Sequence, residues 1–148
     1  MPIQGSGEHA SVVADIPLGS PDCWVVAVGD NATRQKEVRA HPERLYTTAI
    51  HPTAIVSPKA KIGLGTMILE GAIVQAYAVI GKHVIINAGA IVCHHCVIED
   101  FAHIAPGVSL CGNVHVGEGA LVGVGTCVVP SAMISPWIII PAGSAVRR

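Results

Sequence analysis

The residues richest in chemistry lie close together. The stretch "IVCHHCVIEDFAHIAPG", residues 91–107, sets Cys93, His94, His95 and Cys96 in a row and places His103 nine residues after His94. Imidazole and thiolate are the usual ligands of zinc. Imidazole is also the side chain best suited to take up and return a proton near neutral pH. A structural zinc site needs donors that converge from separate turns, whereas a general base needs one imidazole on a surface with room beside it. Residue types do not choose between the two; the elements that carry them do.

Those elements are legible as a repeat. From Ile50 through Val56, Ile62 and Ile68 to Val146, every sixth residue is Ile, Val or Leu, without a slip in register. Four residues after each comes a small residue, such as Ala54, Ala60, Thr66, Ala72, Ala78 and Cys96, with Ile138 the one larger occupant. Six is a multiple of the strand period of two, so every repeat turns the same side chain inward; it fits the helical period of 3.6 badly. Glycines recur where a tight corner calls for φ > 0. A hexapeptide cannot bury its aliphatic residue alone, but three of them close one triangular coil, and stacked coils bury a continuous column. The fold class is therefore mainly β, a parallel β-helix of hexapeptide repeats with a little over five coils.

Composition agrees. Of 148 residues 51% are hydrophobic but only 3% aromatic, and Gly numbers 16, which suits a narrow repetitive core. A net charge of −1 with no basic run gives no footprint for nucleic acid. No apolar stretch reaches membrane-spanning length and no signal peptide opens the chain, so a soluble, cytoplasmic protein with no membrane partner is expected. The five cysteines are odd in number and are read as free thiols. Cys93 and Cys111, three hexapeptides apart, stack on one corner at about one strand spacing, ~4.8 Å.

The register sorts the opening stretch. Cys96 takes the small inward position, while Cys93, His94 and His95 occupy a corner, so the four diverge and no metal site is expected. His103 precedes the core residue Ile104 and points outward from its strand. The step from His94 to His103 is one and a half hexapeptides, half a coil, so the two project from nearly opposite sides of one prism. A site that uses both lies between two chains. His51, His83 and His115 read as solvated surface.

The segments "AIHPTAIVSPKAKIGLGTMI", "NAGAIVCHHCVIEDFAHIAPG" and "LCGNVHVGEGALVGVGTCVVP" resemble the repeat region of the PglD/NeuD-type sugar acyltransferases, members of the left-handed β-helix acyltransferases. Upstream, "GSGEHASVVAD" and "WVVAVGDNATRQK" resemble that family's glycine-rich opening and its second strand–turn–helix. The resemblance implies a left-handed coil, with a shortened Rossmann-like α/β region at residues 1–44 and the β-helix acyltransferase domain at 45–148. It implies a homotrimer that holds acetyl-CoA as co-substrate between neighbouring β-helices, with no permanently bound cofactor. The activity it implies is acetyl transfer to an amine or hydroxyl of a sugar, nucleotide-linked, by direct attack on the thioester.

Carried over residue by residue, the resemblance makes His94 the general base and puts His95 where the family has an acid that orients it. His103 and Gly112 become the acetyl-CoA contacts, Asn87 lines the cleft, and Gly5, Gly7 and His9 face the nucleotide sugar. The chain departs from the family in His95, in a shorter N-terminal region, and in Glu8 where a glycine is usual. These departures keep open a second reading, a catalytically weak or inactive trimeric β-helix that binds a ligand or serves as a structural module.

Overall fold

The computed structural model describes residues 3–4 and 22–147. From Ala49 onward each hexapeptide contributes a two-residue strand, and each strand pairs in parallel with the one three hexapeptides on, as Ile85–Ile86 does with His103–Ile104 and Ile91–Val92 with Ser109–Leu110. Three sheets result, of six, six and five strands, one per side of a triangular prism. The first face runs from Ala49–Ile50 through His103–Ile104 to Ile139–Ile140, the second from Ile55–Val56 through Ile91–Val92 to Ala145–Val146, and the third from Lys61–Ile62 through Val97–Ile98 to Met133–Ile134.

The second residue of each pair enters the prism. Ile68, Ile86, Ile104 and Val122 from the first face, Val74, Val92, Leu110 and Val128 from the second, and Ile80, Ile98, Val116 and Ile134 from the third form one buried column. Ala72, Ala78, Ala90, Cys96, Ala102, Ala120 and Ala132 fill the space between them. A larger residue at these small positions would overfill a core that is only three strands around.

Glycine has two uses here, where the sequence suggested one. Gly71, Gly89, Gly107, Gly125 and Gly143 do take positive φ, between 63° and 69°. Gly63, Gly81, Gly117 and Gly123 do not; they sit where the next coil's backbone or a side chain leaves no room for a Cβ. Seven non-glycine residues, among them Tyr77, His83, His95 and Phe101, adopt φ of 54–63° at corners. From Gly65 to Gly143 every sixth residue takes the left-handed conformation whatever its identity, whereas Thr53 and Lys59 at the equivalent corners of the first coil do not; at non-glycine positions that conformation costs about 1–3 kcal/mol each.

Among the described residues the N-terminal unit is a three-stranded parallel sheet, Ile3–Gln4, Cys23–Val26 and Leu45–Tyr46, and the helix Asn31–Ala40. Asp30 caps the helix by accepting the Thr33 N–H at 2.7 Å, and Pro42 follows its end. Val25 and Ala27 pack on Ala49, Met67 and Ile85, the outward residues of the first face, and on Leu69 at its corner. No helix among the described residues is long and apolar enough to cross a membrane.

A buried arginine bolts the two units together. Arg34 is fully buried; its guanidinium donates to the carbonyls of His83 (2.8 Å), Val28 (2.8 Å) and Phe101 (2.7 Å) and to Asn31 Oδ1 (2.8 Å). Asn31 in turn donates to the Gly119 and Ala120 carbonyls. Burial lowers Arg34 to about 10, which still leaves it charged at neutral pH. Next to it lies His83, which the sequence placed on the solvated surface. It is only 5% exposed, stacked on Phe101 and edge-on to Tyr46, with no described partner for Nδ1. The corner is buried there because Arg34 and Tyr46 of the N-terminal unit cover it. His115, also read as solvated, is half-buried and paired with Glu99 at 2.7 Å.

Two outcomes are expected. Burial first, then the Arg34 charge, push His83 from its ordinary 6.5 down to about 4. Between those values the unfolded chain binds a proton that the folded chain refuses, so this contribution is whole above pH 6.5 and lost as pH falls toward 4. The loss totals about 3 kcal/mol, and urea unfolding of a His83→Phe variant should show a correspondingly flatter acid dependence. Arg34→Ala leaves several buried carbonyls unsatisfied and should cost about 3 kcal/mol. Hydrogen exchange should then rise in residues 22–46 while the inner coils stay protected.

Candidate active site

His94 stands on the corner between the second and third faces. Its backbone N–H donates to Gln75 Oε1 at 3.0 Å, and its carbonyl accepts the Asn113 N–H at 3.1 Å. One coil further on, Gly112 lies against the His94 ring. A Cβ on Gly112 would stand 2.6 Å from Cε1 and 2.8 Å from Nε2, so only glycine leaves the imidazole this position. The Gly112 carbonyl accepts the Ser131 N–H, and its own N–H donates to no described group of the chain. An exposed imidazole nitrogen beside an uncommitted backbone N–H can accept a proton while a neighbouring oxyanion is held.

His95 sits beside His94, with its Nδ1 3.1 Å from Nδ1 of His94. Its ring stacks on Tyr77, 5.0 Å between centroids and 26° between planes, and Lys59 Nζ lies 5.3 Å from the Tyr77 ring. Neither Gln75 nor Tyr77 was singled out by reading the sequence. The signal that finds them is the coil length: Tyr77 stands one full coil of three hexapeptides before His95, and Gln75 one coil and a single residue before His94.

Two open grooves flank this corner. One of about 480 Å³ runs along Ile55, Ile73 and Val74 to Ser57, Gln75 and His94. The other, of about 540 Å³, lies toward the end of the coil against Cys111, Cys127, Val129, Pro130 and Arg147. All five cysteines are free. Burial and then Cys111 raise Cys93, while burial pushes Cys96 up to about 11. Cys96 points inward and donates to the Cys111 carbonyl at 3.1 Å, so the four residues of "CHHC" diverge.

His103 and Asn87 are together, on the other side of the prism. His103 leaves the first face outward, yet it is only 7% exposed because the N-terminal unit covers it. Its Nδ1 lies 3.2 Å from the Gly29 carbonyl, which can only accept, so Nδ1 carries the proton and Nε2 accepts from Asn87 Nδ2 at 3.1 Å. Asn87 Oδ1 accepts the Ala88 N–H. The first face lies opposite the corner that bears His94, so one chain does not bring His94 and His103 together. Gly5, Gly7 and His9 fall outside the described residues.

A prism of stacked hexapeptides whose strands pair every third repeat is a parallel β-helix. No family model matches the sequence, and no curated protein matches it. Solved structures do. PerB from Caulobacter crescentus, in complex with CoA and GDP-perosamine, is 34% identical with a TM-score of 0.89, over 98% of this chain and 87% of that one. The acetyltransferase domain of PglB from Neisseria gonorrhoeae, in complex with acetyl coenzyme A, is 29% identical with a TM-score of 0.91, over 98% and 89%. WeeI from Acinetobacter baumannii, 20% identical with a TM-score of 0.69 over 97% of this chain and 79% of that one, shares the fold. The chain belongs to the hexapeptide-repeat sugar acyltransferases of the PglD/NeuD type, and its coil is the left-handed parallel β-helix of that superfamily.

The thiols give a check on the register. Iodoacetamide at about pH 8, read by peptide mass spectrometry, should modify the exposed Cys127 in the folded protein and leave Cys96 untouched until the chain unfolds.

Proposed function

We propose that this protein transfers an acetyl group from acetyl-CoA to an amine or hydroxyl of a nucleotide-linked sugar, with His94 as general base. The observation that carries the reading is the placement of His94 Nε2 against the bare backbone of Gly112. The acceptor N–H or O–H loses its proton to Nε2 as its nitrogen or oxygen attacks the thioester carbon. The oxyanion meets the Gly112 N–H, the C–S bond breaks, and the proton on Nε2 passes to the departing thiolate of coenzyme A. No acyl-enzyme is needed, because the thioester is already activated.

His103 and Asn87 lie opposite His94, which supports a site shared between chains of a homotrimer, where a neighbour's His103 meets the acetyl-CoA held at His94. In this reading residues 45–148 carry the transfer, while residues 1–44, with Gly5, Gly7 and His9, face the nucleotide. The complexes of PglB with acetyl coenzyme A and of PerB with CoA and GDP-perosamine support the two substrate classes. Acetyl-CoA acts as co-substrate, and the mechanism calls for no resident cofactor. Five free thiols suit the reducing cytoplasm. The presence of His95 where an acid is usual favours the rival reading, a trimeric β-helix that binds ligand without turnover.

Assays with acetyl-CoA and a panel of nucleotide amino sugars that includes GDP-perosamine separate the two. Turnover should fall about 10²–10⁴-fold in His94→Ala, with acetyl-CoA binding by calorimetry retained. Gly112→Ala, which drives a methyl into the imidazole, should lower the rate with little change in melting temperature. Unchanged turnover in His94→Ala would sink the base assignment. Tight acetyl-CoA binding with no product from any acceptor would favour the rival.

A further inference from the structure

The corner that carries His94 lacks an acid along its whole length. Coil by coil it reads Ser57-Pro58-Lys59, Gln75-Ala76-Tyr77, Cys93-His94-His95, Cys111-Gly112-Asn113 and Val129-Pro130-Ser131. A histidine base works from one nitrogen only if the other is held as a donor, a task that a buried carboxylate performs in the serine hydrolases. No Asp or Glu of this corner can do so here. The group that meets Nδ1 of His94 is instead Nδ1 of His95, at 3.1 Å.

Two Nδ1 atoms at that distance form a hydrogen bond only when one of them bears a proton. Nε2 of His94 faces Gly112 and must be bare to act as base. The proton of neutral His94 is then on Nδ1, donated to His95, whose own proton is on Nε2. His95 is fixed for this role from two further directions. Its backbone N–H donates to the Ala76 carbonyl at 3.3 Å with φ at 59°, and its ring lies flat on Tyr77. Tyr77 in turn carries the Lys59 ammonium on its ring.

We propose that His95, clamped on Tyr77, is the positioning residue of the transfer, a neutral imidazole that accepts the Nδ1 proton of His94. The proposal rests on the reading of His94 as base. During transfer His94 Nε2 takes the acceptor's proton and passes it to the thiolate of coenzyme A, while Nδ1–H stays bonded to His95, so the pair returns to its starting state. Acid undoes the arrangement through either ring. A proton on His95 makes its Nδ1 a donor, so His94 accepts at Nδ1, carries its own proton on Nε2 and ceases to be a base. The titratable groups around the pair are Tyr77 and Lys59 from the preceding coils, Cys93 beside it and Cys111 on the next coil. None is a carboxylate that would hold a protonated pair.

Nitrogen-15 NMR of the full chain tests this without an acceptor sugar, with His94 identified by the signal that His94→Ala removes. At about pH 8, where an ordinary imidazole is neutral, the wild-type His94 should carry its proton on Nδ1. His95→Ala should move it to Nε2, the ordinary preference of an unpartnered imidazole. His95→Gln, whose amide oxygen accepts, should restore Nδ1–H. His95→Glu, whose carboxylate also accepts, should keep Nδ1–H. In turnover, His95→Ala should lower kcat at least about 10-fold at unchanged acetyl-CoA KM, and His95→Gln should recover most of it. A wild-type His94 protonated on Nε2, a tautomer indifferent to His95→Ala, or equal kcat in all the variants overturns the proposal. Turnover that survives His94→Ala overturns the base assignment instead, whatever the tautomer.

Discussion

Closure of each coil after three hexapeptides is the constraint on which the molecule depends. Parallel hydrogen bonds join every strand to its equivalent one coil away, so Val74, Val92, Leu110 and Val128 rest on one another in a single column. The same arithmetic stacks the corners, where no hydrophobic pattern operates. It lays His95 on Tyr77, sets Gly112 against His94 and brings Cys93 beside Cys111. The core column and the chemical column are one periodicity seen from inside and from outside. One inserted residue between two coils would misalign both, because side chains alternate faces along a strand.

The corners also explain the buried cation. A left-handed residue turns its peptide groups outward, and the carbonyls of His83 and Phe101 at successive turns of one corner are two of those that hold Arg34. Carbonyl oxygens on several sides, with the Asp30 carboxylate close enough to favour the cation, keep the guanidinium charged at tolerable cost. The same N-terminal unit reaches the first face through the Gly29 carbonyl, which sets the tautomer of His103 and through it the orientation of Asn87. The unit is therefore tied to the chemistry of the β-helix and is more than an appendage beside it.

In the proposed mechanism the two sides of the prism hold different halves of the chemistry. The corner supplies a proton acceptor and a backbone donor with little around them but the side chains of adjacent coils. The opposite face supplies an imidazole and an amide already saturated and oriented by the N-terminal unit. In the homotrimer proposed above, each chain presents its corner to one neighbour and its first face to another.

The β-helix was legible in the sequence because a six-residue step of Ile, Val and Leu is compatible with one strand-and-corner geometry, and the register alone turned Cys96 inward and sent Cys93, His94 and His95 to a corner. Family resemblance added the left-handed sense and the roles proposed for His94, His103 and Gly112. The environments of the histidines were not legible. His83 reads as a corner residue, and its burial depends on a helix far earlier in the chain folding over it. Nothing in the sequence singles out Arg34, whose burial depends on three carbonyls that converge on it. The contact between His94 and His95 was implicit in adjacency, but adjacency does not say which ring nitrogens meet. That follows from a left-handed corner that turns one imidazole against the other and from a tyrosine one coil earlier that stacks on it. Sequence determines what repeats, because burial of aliphatic side chains is periodic. Tertiary structure decides what each corner residue touches, because those contacts join different coils and different units.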